Sequence, residues 1–323
     1  MTDKQSEQWR VENRHLGRWQ VSPIGFGAMP ISWAAMVDHR DRAIATVHAA
    51  LDTGVTLLDS SNIYAPSWDQ TGYGERLLAE SLRTWDAPPS QKEKVLVATK
   101  GGIIVTAEGG RRDASQGHLR DACTASLKAL NVDQIDLYYL HWPAPEPSFE
   151  QQVENMMLLQ QEGLIKSVGV SNISSDQLQV ALDVGGTIAQ GGIVAVQNEF
   201  SPRYRAHEDM ISLTANAGIA YVPWSPFGGA GRAHQMGSQY AVFADVASRH
   251  NVSAYQIALA WLLHKSSNII PIPGATRPET IRDSLGAMSV RLSKNDFELL
   301  SATIPEGTSQ YPNTKPAPPL RKC

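Results

Sequence analysis

Cysteine is nearly absent from this 323-residue chain, which has only Cys123 and the terminal Cys323. Neither a disulfide framework nor a cysteine zinc site can be built from that pair, which suits a reducing cytoplasm. Long apolar runs are missing too: nowhere do eighteen apolar residues follow one another. The first fourteen residues are polar and mixed in charge, so neither a membrane anchor nor a secretory signal is expected. Positive charge is not in excess. With 28 Lys and Arg against 32 Asp and Glu, the net charge is −4, so nucleic acid and anionic lipid are not expected as partners. The dinucleotide fingerprint G-x-G-x-x-G is also lacking. Gly25-Phe26-Gly27 runs on into Ala28-Met29-Pro30, which counts against an open doubly wound sheet.

What is present is enough apolar material for one large core, 42% of residues, arranged in a repeating pattern. Short β-rich runs fall at residues 24–27, 56–59, 95–100, 136–141, 167–171, 193–197, 219–224 and 269–273. Segments of helical period lie between them, and two such segments, 240–249 and 254–265, precede the last run. Eight strands alternating with helices predict a (β/α)8 TIM barrel with a parallel eight-stranded core, an N-terminal β-hairpin and extra helices. The expected organisation is a polar arm over 1–13, the barrel over 14–304 and a proline-rich tail over 305–323. Gly54, Gly163 and Gly218 stand where helices should stop. Two long stretches, 101–117 and 227–237, read as irregular loops on the C-terminal face, where barrels build their active sites.

Four ionisable residues fall at or just past the ends of three successive strands: Asp59, Tyr64, Lys100 and His141. Each alone has an ordinary structural explanation, as a helix cap, a packed aromatic or a satisfied buried group. A barrel, however, brings all four to one mouth. A phenol, with an ordinary pKa near 10, donates poorly at neutral pH unless a cation stabilises its phenolate. Lys100 can supply that cation, Asp59 can keep Lys100 charged, and a neutral His141 can hydrogen-bond a carbonyl oxygen. Together these parts describe carbonyl reduction, with hydride from a nicotinamide and the proton from Tyr64, and the chemistry requires no metal.

The segments Leu58-Asp59-Ser60-Ser61-Asn62-Ile63-Tyr64, Ala98-Thr99-Lys100-Gly101-Gly102 and Leu137-Tyr138-Tyr139-Leu140-His141-Trp142-Pro143 resemble the aldo-keto reductases in order and spacing. Further matching blocks are Ser167-Val168-Gly169-Val170-Ser171-Asn172, Val196-Gln197-Asn198-Glu199-Phe200 and Val222-Pro223-Trp224-Ser225-Pro226. The resemblance covers about residues 14–302. It implies that Tyr64 is the acid, that Lys100 and Asp59 tune it and that His141 orients the substrate. By the same resemblance Ser171, Asn172 and Gln197 hold a nicotinamide carboxamide. Trp224 replaces the family's usual tyrosine as the stacking surface, and Ser225, Pro226, Phe227 and Gly228 run along the pyrophosphate. In the last block Gly274, Thr276 and Arg277 face the 2′-phosphate of NADPH and Asp283 faces the adenine. NADPH (NADP+) is therefore the expected cofactor, with NADH possible because some usual phosphate contacts are replaced.

The branch resembled is a bacterial one that includes pyridoxal-reductase-like enzymes, which suggests an aromatic aldehyde among small carbonyl substrates. Trp33, Trp68 and Trp142 fall in loops beside the expected mouth and are candidates to line a substrate pocket, or they simply pack where loops meet the barrel. Arg111, Arg112 and His118 can meet an anionic substrate group, although a solvated loop is the plainer reading for the two arginines. A homo-oligomer is compatible with the sequence. Two other functions use the same barrel. One is an NADPH-binding sensor or regulatory subunit with little turnover; the other is an aldolase with Lys100 as Schiff-base lysine.

Overall fold

A computed structural model of the chain describes residues 11–229, 231–305 and 309. Most of the expected arm, most of the tail and Cys323 lie outside the described residues. Seven strands form one parallel sheet: β1 (Phe26–Gly27), β2 (Leu57–Asp59), β3 (Leu96–Gly101), β4 (Ile135–Leu140), β5 (Ile165–Ser171), β6 (Ile193–Gln197) and β7 (Ala220–Tyr221). Each pairs with the next in chain order. The eighth expected run, β8 (residues 269–273), carries Pro271 and Pro273, which have no N–H and so interrupt regular strand pairing. Its remaining bonds still join the sheet's two edges. Ile270 and Ile272 donate to the carbonyls of Tyr221 and Pro223 at 2.9 and 3.2 Å, while the carbonyls of Pro271 and Pro273 accept from Gly25 and Gly27 at 2.9 and 3.0 Å. The eight-stranded barrel is closed through the two prolines.

Strand alternation sorts the side chains into two layers. Leu57, Leu96, Ala98, Leu137, Tyr139, Ala195, Ala220 and Ile270 belong to an inner cluster, and Tyr138, Val168, Val170 and Val196 pack outward against helices. The consecutive tyrosines 138 and 139 thus go to opposite faces. Glycine makes room for both: a Cβ on Gly101 would overlap the Tyr138 hydroxyl, and one on Gly169 would overlap the Tyr139 ring. The expected N-terminal hairpin pairs Arg14–Leu16 with Trp19–Val21 and sends Leu16 and Val21 into the inner cluster. It crosses the N-terminal end of the barrel, where Gly17 lies against Val194 near the start of β6.

Helices follow the strands as the periodicity predicts, with Arg40–Asp52, Tyr73–Thr84, Gln116–Leu130, Phe149–Gln161, Ser175–Gly185 and Asp209–Asn216 after β1 to β6. Ala241–His250 and Ala254–Lys265 form the expected double unit before β8, and Pro278–Gly286 comes after it. Gly54, Gly163 and Gly218 lie at helix ends with positive φ. The stretch after Lys100 is more regular than its sequence suggests. Ile103–Thr106 and Gly109–Arg112 form an antiparallel hairpin rather than an irregular loop. Among the described residues, no helix is long and apolar enough to cross a membrane.

Candidate active site

The C-terminal strand ends bring Asp59, Tyr64, Lys100 and His141 together. Asp59 ends β2, Lys100 is the penultimate residue of β3 and His141 follows β4. Tyr64 lies on the loop after β2, and that loop is held at both sides: Gly72 N donates to Asn62 O at 2.6 Å and Gly74 N to Tyr64 O at 2.9 Å. The first turn of helix Tyr73–Thr84 therefore fixes where the phenol sits.

Lys100 is 1% exposed, and its ammonium meets three oxygens: Asp59 Oδ1 at 2.5 Å, the Ser60 carbonyl at 2.6 Å and the Tyr64 hydroxyl at 3.5 Å. Its three N–H donors have one partner each. Burial pulls the lysine below its ordinary range, and Asp59 limits the fall. Asp59 is in turn raised by burial and held down by Lys100 and by Gln197 Nε2, which donates to Oδ2 at 2.8 Å. Such a buried ion pair resists the loss of either partner, because the remaining charge would be left unpaired in a dry site.

His141 is buried, and desolvation together with the Lys100 charge holds its pKa well below the ordinary imidazole value. The ring is therefore neutral near pH 7. Nδ1 lies 3.1 Å from Ser61 Oγ, and the ring meets Tyr64 edge-on with centroids 6.0 Å apart. A Ser61 hydroxyl donating to Nδ1 leaves the ring proton on Nε2 as a donor.

Past β5 and β6 the polar groups are neutral amides. Asn172 Nδ2 donates to the His141 carbonyl at 2.9 Å and to Ser171 Oγ at 3.0 Å, while its Oδ1 accepts from Trp224 Nε1 at 3.1 Å. Ser171 Oγ donates to the Gln197 carbonyl at 2.6 Å. These bonds fix a half-buried indole beside Asp59, Tyr64, Lys100 and His141, and Asn172 takes the left-handed φ of 59° to do so. The chain then turns through Ser225, Pro226 and Phe227 to Gly228, whose N donates to Ser225 O at 2.8 Å. Gly228 has φ 80°, and a Cβ there would press on Arg203 Cδ at 2.8 Å, so this turn has no room for a side chain.

A sequence model of the aldo/keto reductase family matches residues 23–304. The chain belongs to that family. Among curated relatives, a pyridoxine 4-dehydrogenase of Escherichia coli (strain K12) is 31% identical over 295 residues, covering 88% of this chain and 96% of its own. A probable aldo-keto reductase 1 of Glycine max is 28% identical over 317 residues, covering 90% and 87%. A solved aldo-keto reductase of Klebsiella pneumoniae, in complex with NADPH, superposes with a TM-score of 0.74 at 22% identity, covering 90% of this chain and 94% of its own.

The other residues singled out in this aldo-keto reductase sequence are spread more widely. Gly274 and Thr276 lie between β8 and helix Pro278–Gly286, and Arg277 caps that helix with an exposed side chain 3.5 Å from Glu279. Asp283 accepts from Ser253 Oγ and Gln256 Nε2 at 2.7 and 2.8 Å, so its carboxylate also ties two helices together. Trp142 packs against the guanidinium of Arg112 on the hairpin, and the turn Trp68–Gln70 touches the same hairpin with Trp68 47% exposed. Trp33 is half-buried between two short turns of helix and joins neither. Sequence reasoning missed the oxygens of Ser60 and Ser61, although both stand in the block it quoted. It also missed Glu75, fully buried, which accepts from Thr99 Oγ1 at 2.6 Å one residue before Lys100.

Proposed function

We propose that this aldo-keto reductase reduces an aldehyde or ketone to the alcohol with NADPH and that Tyr64 gives the proton. The observation that carries the proposal is the Lys100 ammonium, whose three donors go to Asp59, the Ser60 carbonyl and the Tyr64 hydroxyl. A cation on the phenol oxygen favours phenolate, so it makes the phenol a stronger acid toward a carbonyl oxygen that is gaining charge. A neutral His141 donating from Nε2 orients that oxygen and stabilises the same charge without competing as an acid. Bound at this mouth, NADPH supplies the hydride.

The residues present fit that cofactor. A primary amide needs one acceptor and one donor. Asn172 Oδ1 keeps a lone pair beyond its bond from Trp224 and can accept from such an amide. Trp224 offers a flat face held by Asn172. The side-chain-free turn at Gly228 and Gly229 suits close approach of a pyrophosphate, and Arg277 suits a 2′-phosphate. The aldolase reading needs a lysine amine with a free lone pair, and the threefold bonding of Lys100 opposes it.

The test is cofactor oxidation, followed by loss of nicotinamide absorbance, across a panel of aldehydes that includes pyridoxal and methylglyoxal. The expected result is steady turnover with NADPH and slower turnover with NADH. Binding of NADPH without turnover of any aldehyde moves the reading to a sensor. Borohydride trapping of a substrate adduct on Lys100 moves it to the aldolase.

A further inference from the structure

The hairpin that grows out of β3 ends on two arginines with opposite surroundings. Arg111 points to solvent, its side chain 65% exposed, and pairs with Asp113 at 2.9 Å. Arg112 turns inward. Its guanidinium lies 4.6 Å from the centroid of the Trp142 ring, and NH1 donates to the Pro143 carbonyl at 3.3 Å. Trp142 and Pro143 are the two residues after His141, and the His141 backbone N donates to Gly101 O at 2.8 Å. Asp113 N, one residue past Arg112, donates to Gly102 O at 3.0 Å. Arg112 is thereby anchored at the barrel mouth, one step outward from the group that orients the carbonyl.

Among the described residues, Arg112 has no carboxylate within ion-pair distance. The nearest acid in sequence, Asp113, is taken by Arg111 and by the backbone N and hydroxyl of Ser115. Burial disfavours the Arg112 charge with no acid nearby to offset it. A guanidinium carries five N–H donors in a planar fork, and among the described residues one of these has a partner. An indole 4.6 Å from the guanidinium restrains it, which lowers the entropy lost when it meets an anion.

We propose that Arg112 sets substrate specificity by receiving an anionic group, carboxylate or phosphate, carried by the carbonyl substrate at the end remote from the reacting carbon. Such a substrate places its carbonyl at Tyr64 and His141, its body along Trp142 and its anion on the free edge of the Arg112 fork. The inference rests on the carbonyl-reductase reading, and the experiment separates the two.

The probes are para-carboxybenzaldehyde against para-methylbenzaldehyde, and pyridoxal phosphate against pyridoxal, each assayed with NADPH on the full chain and on the Arg112→Met and Arg112→Lys variants. For wild type, kcat/KM is expected to favour the anionic member by about tenfold or more, with the advantage shrinking as salt rises. Arg112→Met should cut the anionic-to-neutral ratio by about tenfold, mainly through KM, and Arg112→Lys should fall between. Preference for one anionic probe alone assigns the group as carboxylate or phosphate. A wild-type ratio near one, or an equal loss for both members of a pair in Arg112→Met, overturns the inference and leaves Arg112 a packing residue. No turnover of any of the four aldehydes by wild type overturns the reductase reading itself, whereas turnover of the anionic members alone supports the inference.

Discussion

The two halves of the barrel mouth are built from different interactions. From β1 to β4 the site is ionic and dry: Asp59 and Lys100 are almost wholly buried, and the cation's donors are all engaged. From β5 to β8 it holds neutral amides and a half-buried indole, and the charge of Arg277 is exposed at the far end. Two bonds couple the halves, Gln197 to Asp59 and Asn172 to the His141 carbonyl. On the proposed function, proton chemistry belongs to the first half, where low dielectric strengthens each charge, and recognition of a large ligand to the second.

Substitutions that break this contrast should differ in size and kind. Lys100→Met strands a buried carboxylate, so unfolding free energy in denaturant should fall by about 3–5 kcal/mol, and kcat should fall by about a thousandfold. Arg277→Ala touches only the far end of the second half. It should weaken NADPH by about tenfold in a binding titration and leave NADH nearly unchanged, because NADH has no 2′-phosphate. The smallest effect is on pH dependence. The His141 pKa lies well below that of an unfolded histidine, so below about pH 6.5 the unfolded chain binds a proton that the folded site refuses. Stability is therefore complete above that pH and declines as pH falls through it, while kcat shows no imidazole titration there. Thermal melts and a kcat profile between about pH 5 and 8 check both.

The pattern of strands and helices was legible because a barrel repeats one hydrophobic rhythm, and strand-end positions then placed Asp59, Lys100 and His141 at one mouth. Residues 269–273 read correctly as a strand by their apolar run; the prolines changed which atoms bond without moving the segment. The hairpin after Lys100 was hidden because its second strand, Gly109–Arg112, is two glycines and two arginines with little strand preference, and only pairing with Ile103–Thr106 makes it one. The different fates of Arg111 and Arg112 follow from that hairpin's alternation and could not be read without it. Ser60 was illegible for another reason: it acts through its backbone carbonyl, which no side-chain motif encodes. Cofactor contacts along 225–228 rest on the family resemblance and on a turn that leaves no room for a side chain at Gly228.

The central claim is that Tyr64 delivers the proton from within the Lys100 hydrogen-bond set. Tyr64→Phe removes one oxygen and keeps the ring, so it tests that claim most directly when NADPH affinity and single-turnover reduction of one aldehyde are measured together. The account predicts affinity within about threefold of wild type and a reduction rate lower by about a hundredfold or more. Reduction at the wild-type rate by Tyr64→Phe would contradict it and assign the proton to another group.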